Sequence, residues 1–420
     1  MKSKCILVLM AVLSALMPSA WAAAKFKILH SFTGGTDGNG PNGPLLADHN
    51  GNLYGITIAG GGSGCGGAGC GTVFEVTPAG NGRWTEQILY AFTGTGDSGA
   101  PQGNLVQDAA GNLYGFTKGD YCCYTAVFEL SPGSGGWNLS QIWTQSASPG
   151  LLLDAAGDLY GEIGQGEYKA GAIGELSPGY NGWAYADLYD FCRYSHSGIS
   201  QPSPLTCPDG WGIQSPLTWD TIGNLYGTMF FGGNYQYCGG SAGCGVAFRM
   251  TPNGDGTWTY HVLHRFAQSN SDGSYPYAGL VVDASGNAYG ATWAGGKYGN
   301  GTFYKLTPTK HGLWKETILY EFPNCKNGCG PNESLVFDKA GNLYGAAAGG
   351  NMTCSGYSCG VIYKFTPQKN GKWKYIVLHK FNWTDGSGPL GVTLDGKGNI
   401  FGTTFGGGKY GWDTAFEITP

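Results

Sequence analysis

Charged side chains are scarce. Asp, Glu, Lys and Arg make up 12% of the 420 residues, about half the roughly 25% of an average soluble protein. The net charge is only -5 and no Lys/Arg cluster is dense, so the electrostatic footprint of a nucleic-acid or anionic-membrane binder is missing. Helical periodicity is absent too, which excludes a helical solenoid. Long apolar runs are confined to the first residues. Lys2 and Lys4 precede an apolar stretch from Cys5 to Leu16, followed by Pro18 and the small-x-small triplet Ala20-Trp21-Ala22. At about 12 residues the stretch is too short to span a bilayer, where roughly 20 are needed. It predicts a signal peptide over 1–22 that is removed after Ala22, a secreted (extracellular or periplasmic) mature chain over 23–420, and no transmembrane segment.

Glycine is abundant, with 77 residues, yet 14% aromatic and 41% hydrophobic content is more than a disordered chain carries. Thirteen cysteines less Cys5 leave six close couples: Cys65/Cys70, Cys122/Cys123, Cys192/Cys207, Cys238/Cys244, Cys325/Cys329 and Cys354/Cys359. In an exported chain these read as local disulfides. Cys122 and Cys123 are the exception, since neighbours bridge only through a strained ring and can pair elsewhere. The seven histidines do not stand near the couples at zinc-finger spacing, so no metal site and no cofactor are expected.

Repetition organises the rest. GNLYG at Gly51 has equivalents at Gly111, Gly157, Gly223, Gly286, Gly341 and Gly398, at intervals of 46 to 66 residues. VFEVTP-like segments end at Pro78, Pro132, Pro178, Pro252, Pro308, Pro367 and Pro420. A third element, ILHSF at Ile28, recurs at Ile88, Leu188, Val262, Ile318 and Val377, with a degenerate copy around Ile142 and Trp143. In the unit from Gly279 to Phe322, GLVVD is a strand, DASGN a hairpin turn, and NAYGATW, GTFYKLTP and WKETILYEF are three further strands. Four short antiparallel strands repeated seven times predict an all-β, seven-bladed β-propeller. The blades are expected near 43–92, 103–145, 149–191, 215–266, 279–322, 334–381 and 390–420, the last completed by 25–32. The mature chain opens with a fourth strand and finishes with the first three, so the N-terminal strand closes the ring and leaves no long inner edge unpaired.

These units resemble the GloVer-type tandem repeats of exported bacterial proteins, whose consensus joins a DGxxP loop, a GNLYGTT strand, a GTVFxLTP strand and an LYxF strand. The resemblance covers nearly all of the mature chain. It implies export and often a C-terminal surface anchor, but no established activity, and the end at Pro420 without a sorting tail gives anchoring no support. The strand pattern also resembles NHL-type propellers, which implies that GLVVD-type strands line the central channel.

In such blades the links between strands one and two and between three and four share a face, and here they are short and uniform. The links after strands two and four are long, glycine-rich and hold every cysteine couple, so binding is expected on their face. Its candidate ligand-binding residues are Arg193, Tyr194, His196, Trp211, Tyr235, Tyr275, Tyr277, Tyr298, Trp383, Tyr410 and Trp412. Seven aspartates at one repeat position (Asp48, Asp108, Asp154, Asp220, Asp283, Asp338, Asp395) read as turn residues, because chemistry needs one site and not seven. His30, His264 and His379 share a slot with Tyr90, Tyr189 and Tyr320 and read as packing. The stretch GTGDSGAP from Gly94 to Pro101 looks like a serine-protease nucleophile loop, but Ser98 stands where other copies have Gly38, Gly273, Gly328 and Gly386, which makes it a turn residue. No catalytic constellation emerges. The favoured reading is a monomeric, secreted binding module for extracellular glycan or protein. The alternatives are a carbohydrate-active hydrolase or lyase using Asp209 or Asp272 with His196 or Arg193, and a structural or adhesive surface protein.

Overall fold

The computed structural model describes residues 24–119, 125–145, 147–192, 207–233, 238, 243–269, 271–350, 354 and 358–420. Residues 1–22, read from sequence as a signal peptide, the Cys122/Cys123 couple, and Arg193, Tyr194, His196 and Tyr235 lie outside the described residues. The described chain is almost entirely β, arranged as seven antiparallel blades in a ring. Blade 5 is representative, its strands Val281–Val282, Ala288–Thr292, Thr302–Pro308 and Trp314–Glu321 running from the axis outward in chain order.

Side-chain alternation explains the layering. In Thr302–Pro308 the residues on both faces at the start of the strand are buried, because the third strand is sandwiched between neighbouring blades, whereas Trp314–Glu321 alternates half-buried and exposed positions as an outer strand must. The core is therefore a series of clusters at the seams between blades, such as Phe32, Phe74 and Phe401 between blades 7 and 1.

Blade 7 is built from both ends of the chain. Its strands Ser387–Leu394, Ile400–Gly406 and Thr414–Thr419 are joined by Lys25–Ser31, which pairs antiparallel to Thr414–Thr419 from Lys25 opposite Thr419 to Ser31 opposite Thr414. Closure by the N-terminal strand is thus as expected. The inner rim is stitched from blade to blade: Gly103 N donates to Asn42 Oδ1 at 3.1 Å, Asn104 Nδ2 to the Leu151 carbonyl at 2.8 Å, Gly279 N to Ser334 Oγ at 3.2 Å, and Thr403 Oγ1 to the Gly43 carbonyl at 3.0 Å. Gly279 is required there, since a Cβ would stand 2.8 Å from Ser334 Oγ and 2.9 Å from Ser215 Oγ of the flanking blades.

The seven turn aspartates share one structural job. Asp283 is typical: Oδ1 accepts from Ser285 N and Asn287 N, both at 2.9 Å, and Oδ2 from Asn287 Nδ2 at 2.8 Å and the Tyr289 hydroxyl at 3.0 Å. These bonds outweigh burial and hold the Asp283 carboxyl below its ordinary value. The tyrosine of GNLYG is the far anchor of its own turn.

Candidate functional site

Five disulfides hold links on one face: Cys65 to Cys70, Cys192 to Cys207, Cys238 to Cys244, Cys325 to Cys329 and Cys354 to Cys359. The candidate aromatics on that face fall into two groups. Trp383, Tyr410 and Trp412 belong to the loops of blade 7 and are 49%, 49% and 47% exposed, beside Phe405 at 53%. Glycines let these rings lie against backbone: the Trp412 ring passes 2.7 Å from where a Cβ of Gly34 would be, and the Trp383 ring 3.7 Å from that of Gly406. Lys409 Nζ sits 4.8 Å from the Tyr410 ring centre. Tyr298, with Lys297 over its ring at 5.2 Å, and Trp293 form a second exposed pair on blade 5.

Trp211, Tyr275 and Tyr277 are half-buried and serve one another. Trp211 stacks on Phe231 at 4.5 Å, Phe231 meets Phe230 edge-on at 4.7 Å, and Phe230 stacks on Tyr275 at 5.2 Å and meets Tyr277 edge-on at 5.5 Å. They support the loops of blades 4 and 5 more than they offer a surface. Phe405, Trp293 and Phe230 escape a motif search. They occupy one repeat column, the residue after the last buried position of the second strand, where strand alternation turns a side chain to solvent.

The slot of His30, His264 and His379 is more than packing. Each Nε2 lies within hydrogen-bond distance of the aspartate of its DGxxP loop: Asp37 at 3.2 Å, Asp272 at 3.1 Å and Asp385 at 3.1 Å. The Tyr90 and Tyr189 hydroxyls donate to Asp97 and Asp209 in the same way, at 3.2 and 2.9 Å. Ser98 follows Asp97 at φ +66°, a glycine-like turn conformation, with its Oγ accepting from Gln141 Nε2 at 2.9 Å.

From across each seam the outer strand of the next blade offers one residue to this slot, two places after its tryptophan or, in the N-terminal strand, after Ala24. Tyr260 stacks on Tyr189 at 4.1 Å, Tyr375 on Tyr320 at 4.7 Å, Tyr185 on Trp143 at 4.4 Å, and Phe26 on His379 at 3.9 Å. At two seams the residue is acidic instead. Glu316 Oε2 lies 3.6 Å from His264 Nε2, and at the seam between blades 7 and 1 burial, joined by the Asp37 charge, pushes the Glu86 carboxyl up to about 7. Burial works against the His264 charge, but the Asp272 bond and the Glu316 charge hold it above its ordinary value. His30, with burial dominant, is lowered.

The likeness to solved structures lies in the fold. The chain is similar to an ancestral GH74 enzyme (TM-score 0.54, 10% identity, 91% of this chain and 48% of that one), of which it spans about half. It is also similar to the polysaccharide lyase Uly1 (TM-score 0.52, 10% identity, 90% and 89%). A putative 6-phosphogluconolactonase from Bacteroides uniformis matches more loosely, at TM-score 0.48 with 12% identity over 83% of this chain and 88% of that one. None of the curated proteins matches the sequence. Residues 15–173 and 213–420 match the Gloeobacter/Verrucomicrobia repeat, and with seven such units closing one ring, the chain belongs to the Gloeobacter/Verrucomicrobia repeat family.

Proposed function

We propose that the protein is an exported propeller that binds extracellular glycan through the aromatic loop face centred on blade 7. The observation that carries this reading is the exposed group Trp383, Phe405, Tyr410 and Trp412. Aromatic faces held by a rigid scaffold give contact area to sugar rings at small entropy cost. The leader over 1–22 and the five disulfides fit an oxidising compartment outside the cytoplasm. The enzymatic alternative draws support from a lyase among proteins of similar fold, yet its carboxylates have other work. Asp209 is 2% exposed and accepts from the Tyr189 hydroxyl, and Asp272, 6% exposed, holds His264 and accepts from Gln268 N at 2.8 Å.

The test is a glycan array with the purified mature protein, followed by titration of each hit and a turnover screen on the same glycans. Trp412→Ala and Trp383→Ala should each weaken binding by about tenfold, since an aromatic contact contributes roughly 0.5–1.5 kcal/mol beyond its buried area. Absence of any glycan binding, or turnover of a bound glycan, overturns the reading.

A further inference from the structure

The acidic residue at the seam between blades 4 and 5 breaks a packing pattern. At most seams that position carries a ring that stacks across the slot, such as Tyr260, Tyr375 or Phe26. Glu316 forfeits such a stack and places a second carboxylate beside Asp272. One ligand atom each of His264, Asp272 and Glu316 lies within 4.8 Å of the others. The side chains are 11%, 4% and 16% exposed, and Glu316 Oε1 is buried with no hydrogen-bond partner among the described residues. With His264 protonated and both acids ionised, two buried carboxylates against one imidazole would carry one negative charge too many, so the cluster must take up either a further proton or a cation. The wholly buried Tyr304 hydroxyl, also without a hydrogen-bond partner, feels the charge of both carboxylates.

We propose that His264, Asp272 and Glu316 form a binding site for a first-row divalent cation, Zn²⁺ or Mn²⁺, at the seam between blades 4 and 5. One neutral imidazole and two carboxylates balance a 2+ ion, and a nitrogen-plus-oxygen donor set suits these metals. The ion takes the place of the protons that neutralise the cluster when no cation is bound. Three protein ligands leave coordination positions open, and the site has room for them: it opens into a cavity of about 440 Å³ lined also by Gln268, Ser269, Ser271 and Lys315. The cavity lies at the outer rim of the disulfide-held face, so an ion can enter from solvent.

The test uses the full mature chain without a polyhistidine tag, stripped with chelator and titrated calorimetrically with Zn²⁺ and Mn²⁺. One ion should bind per chain and raise the melting temperature. Glu316→Gln should lower affinity by at least about tenfold, the smallest loss expected even for a residue supporting a ligand, whereas Glu86→Gln at the sister seam should leave it unchanged. The double variant His264→Tyr/Glu316→Tyr rebuilds the tyrosine pair of the neighbouring seams, so it should fold and bind no ion there. Failure of both ions to bind at one per chain, or native affinity in Glu316→Gln or in the double variant, overturns the proposal.

Discussion

Asp413 of blade 7 accepts a hydrogen bond from the Gly40 amide of blade 1 at 2.7 Å, between residues 373 apart in the chain. The position is a glycine in other blades, such as Gly71 at φ +94° and Gly245 at φ +99°, and Asp413 keeps that conformation at φ +99°. A side chain there points at the next blade: a Cβ on Gly71 would stand 2.6 Å from the Pro101 ring. Where the ring closes, that collision is replaced by a hydrogen bond. Asp413→Ala leaves the Gly40 amide unpaired and should destabilise by about 1–3 kcal/mol, while Asp413→Asn keeps an acceptor and should lose less. Urea midpoints for the two variants decide the order.

The second closure is the N-terminal strand. Phe26 stacks on His379 with 8° between planes, meets Phe381 edge-on at 5.7 Å and lies 5.6 Å from Phe416. Phe26→Ala should therefore destabilise by roughly 2–4 kcal/mol, toward the lower end of the range for buried aromatics because the ring is half-buried. A thermal melt unchanged by Phe26→Ala, or by removal of 25–32, would show that the strand does not close the ring.

Blade 7 also lacks one turn bond. Its GNLYG equivalent carries Phe401 where six blades have tyrosine, so Asp395 accepts from Lys397 N, Asn399 N and Asn399 Nδ2 but from no tyrosine hydroxyl. Phe401→Tyr should stabilise by about 0.5–1 kcal/mol, the net worth of one hydrogen bond. In the opposite direction, Asp283→Ala strips four bonds from its turn and should cost about 2–3 kcal/mol. Chemical denaturation of both variants tests the pair of signs.

The ring was legible in the sequence because every blade repeats the same local instructions. GNLYG fixes a turn and a buried strand, TP ends the third strand, and the fourth-strand fragment at Phe26 complements the three strands that end at Pro420. The site was legible only in part. Trp383, Tyr410 and Trp412 stand out as aromatics in glycine-rich loops, whereas Phe405 and Trp293 look like ordinary strand residues until alternation is followed one position past the buried threonine. The His264 slot reads as packing because a tyrosine fills it in other copies, and because Glu316, which marks it out, comes from the next blade, while Asp272 comes from the adjoining DGxxP loop. Nothing in a single repeat announces a contact made across a seam.

Buried acids should give the protein an acidic stability optimum. Burial pushes the Glu162 carboxyl up to about 7 against the opposing bonds from Ile213 N and Ser148, the Asp413 carboxyl to about 7 against the Gly40 bond, and Glu333 to about 8. A raised carboxyl binds its proton more tightly in the folded than in the unfolded chain, so stability falls as pH rises from the ordinary values of 3.8 and 4.5 toward 7 and 8. The turn aspartates act in the opposite sense. Asp220, Asp283 and Asp338 are held below 3.8 by hydrogen bonds that outweigh burial, and their contribution, complete above that value, is lost as pH falls through their folded pKa. Together these groups should place the maximum near pH 4–5, with the melting temperature declining toward pH 8. Glu162 is 8% exposed, and its Oε2 accepts from Ile213 N at 2.9 Å, tying blade 3 to the link that leads into the first strand of blade 4, Thr218–Trp219. Glu162→Gln keeps an acceptor and cannot ionise, so it should remove roughly 3 kcal/mol of the decline between pH 5 and 8. Melting curves in chelator-containing buffers across that range measure the slope. A native melting temperature that is flat or rising over it, or a Glu162→Gln slope equal to the native one, would mean that these carboxyls ionise without cost in the folded protein.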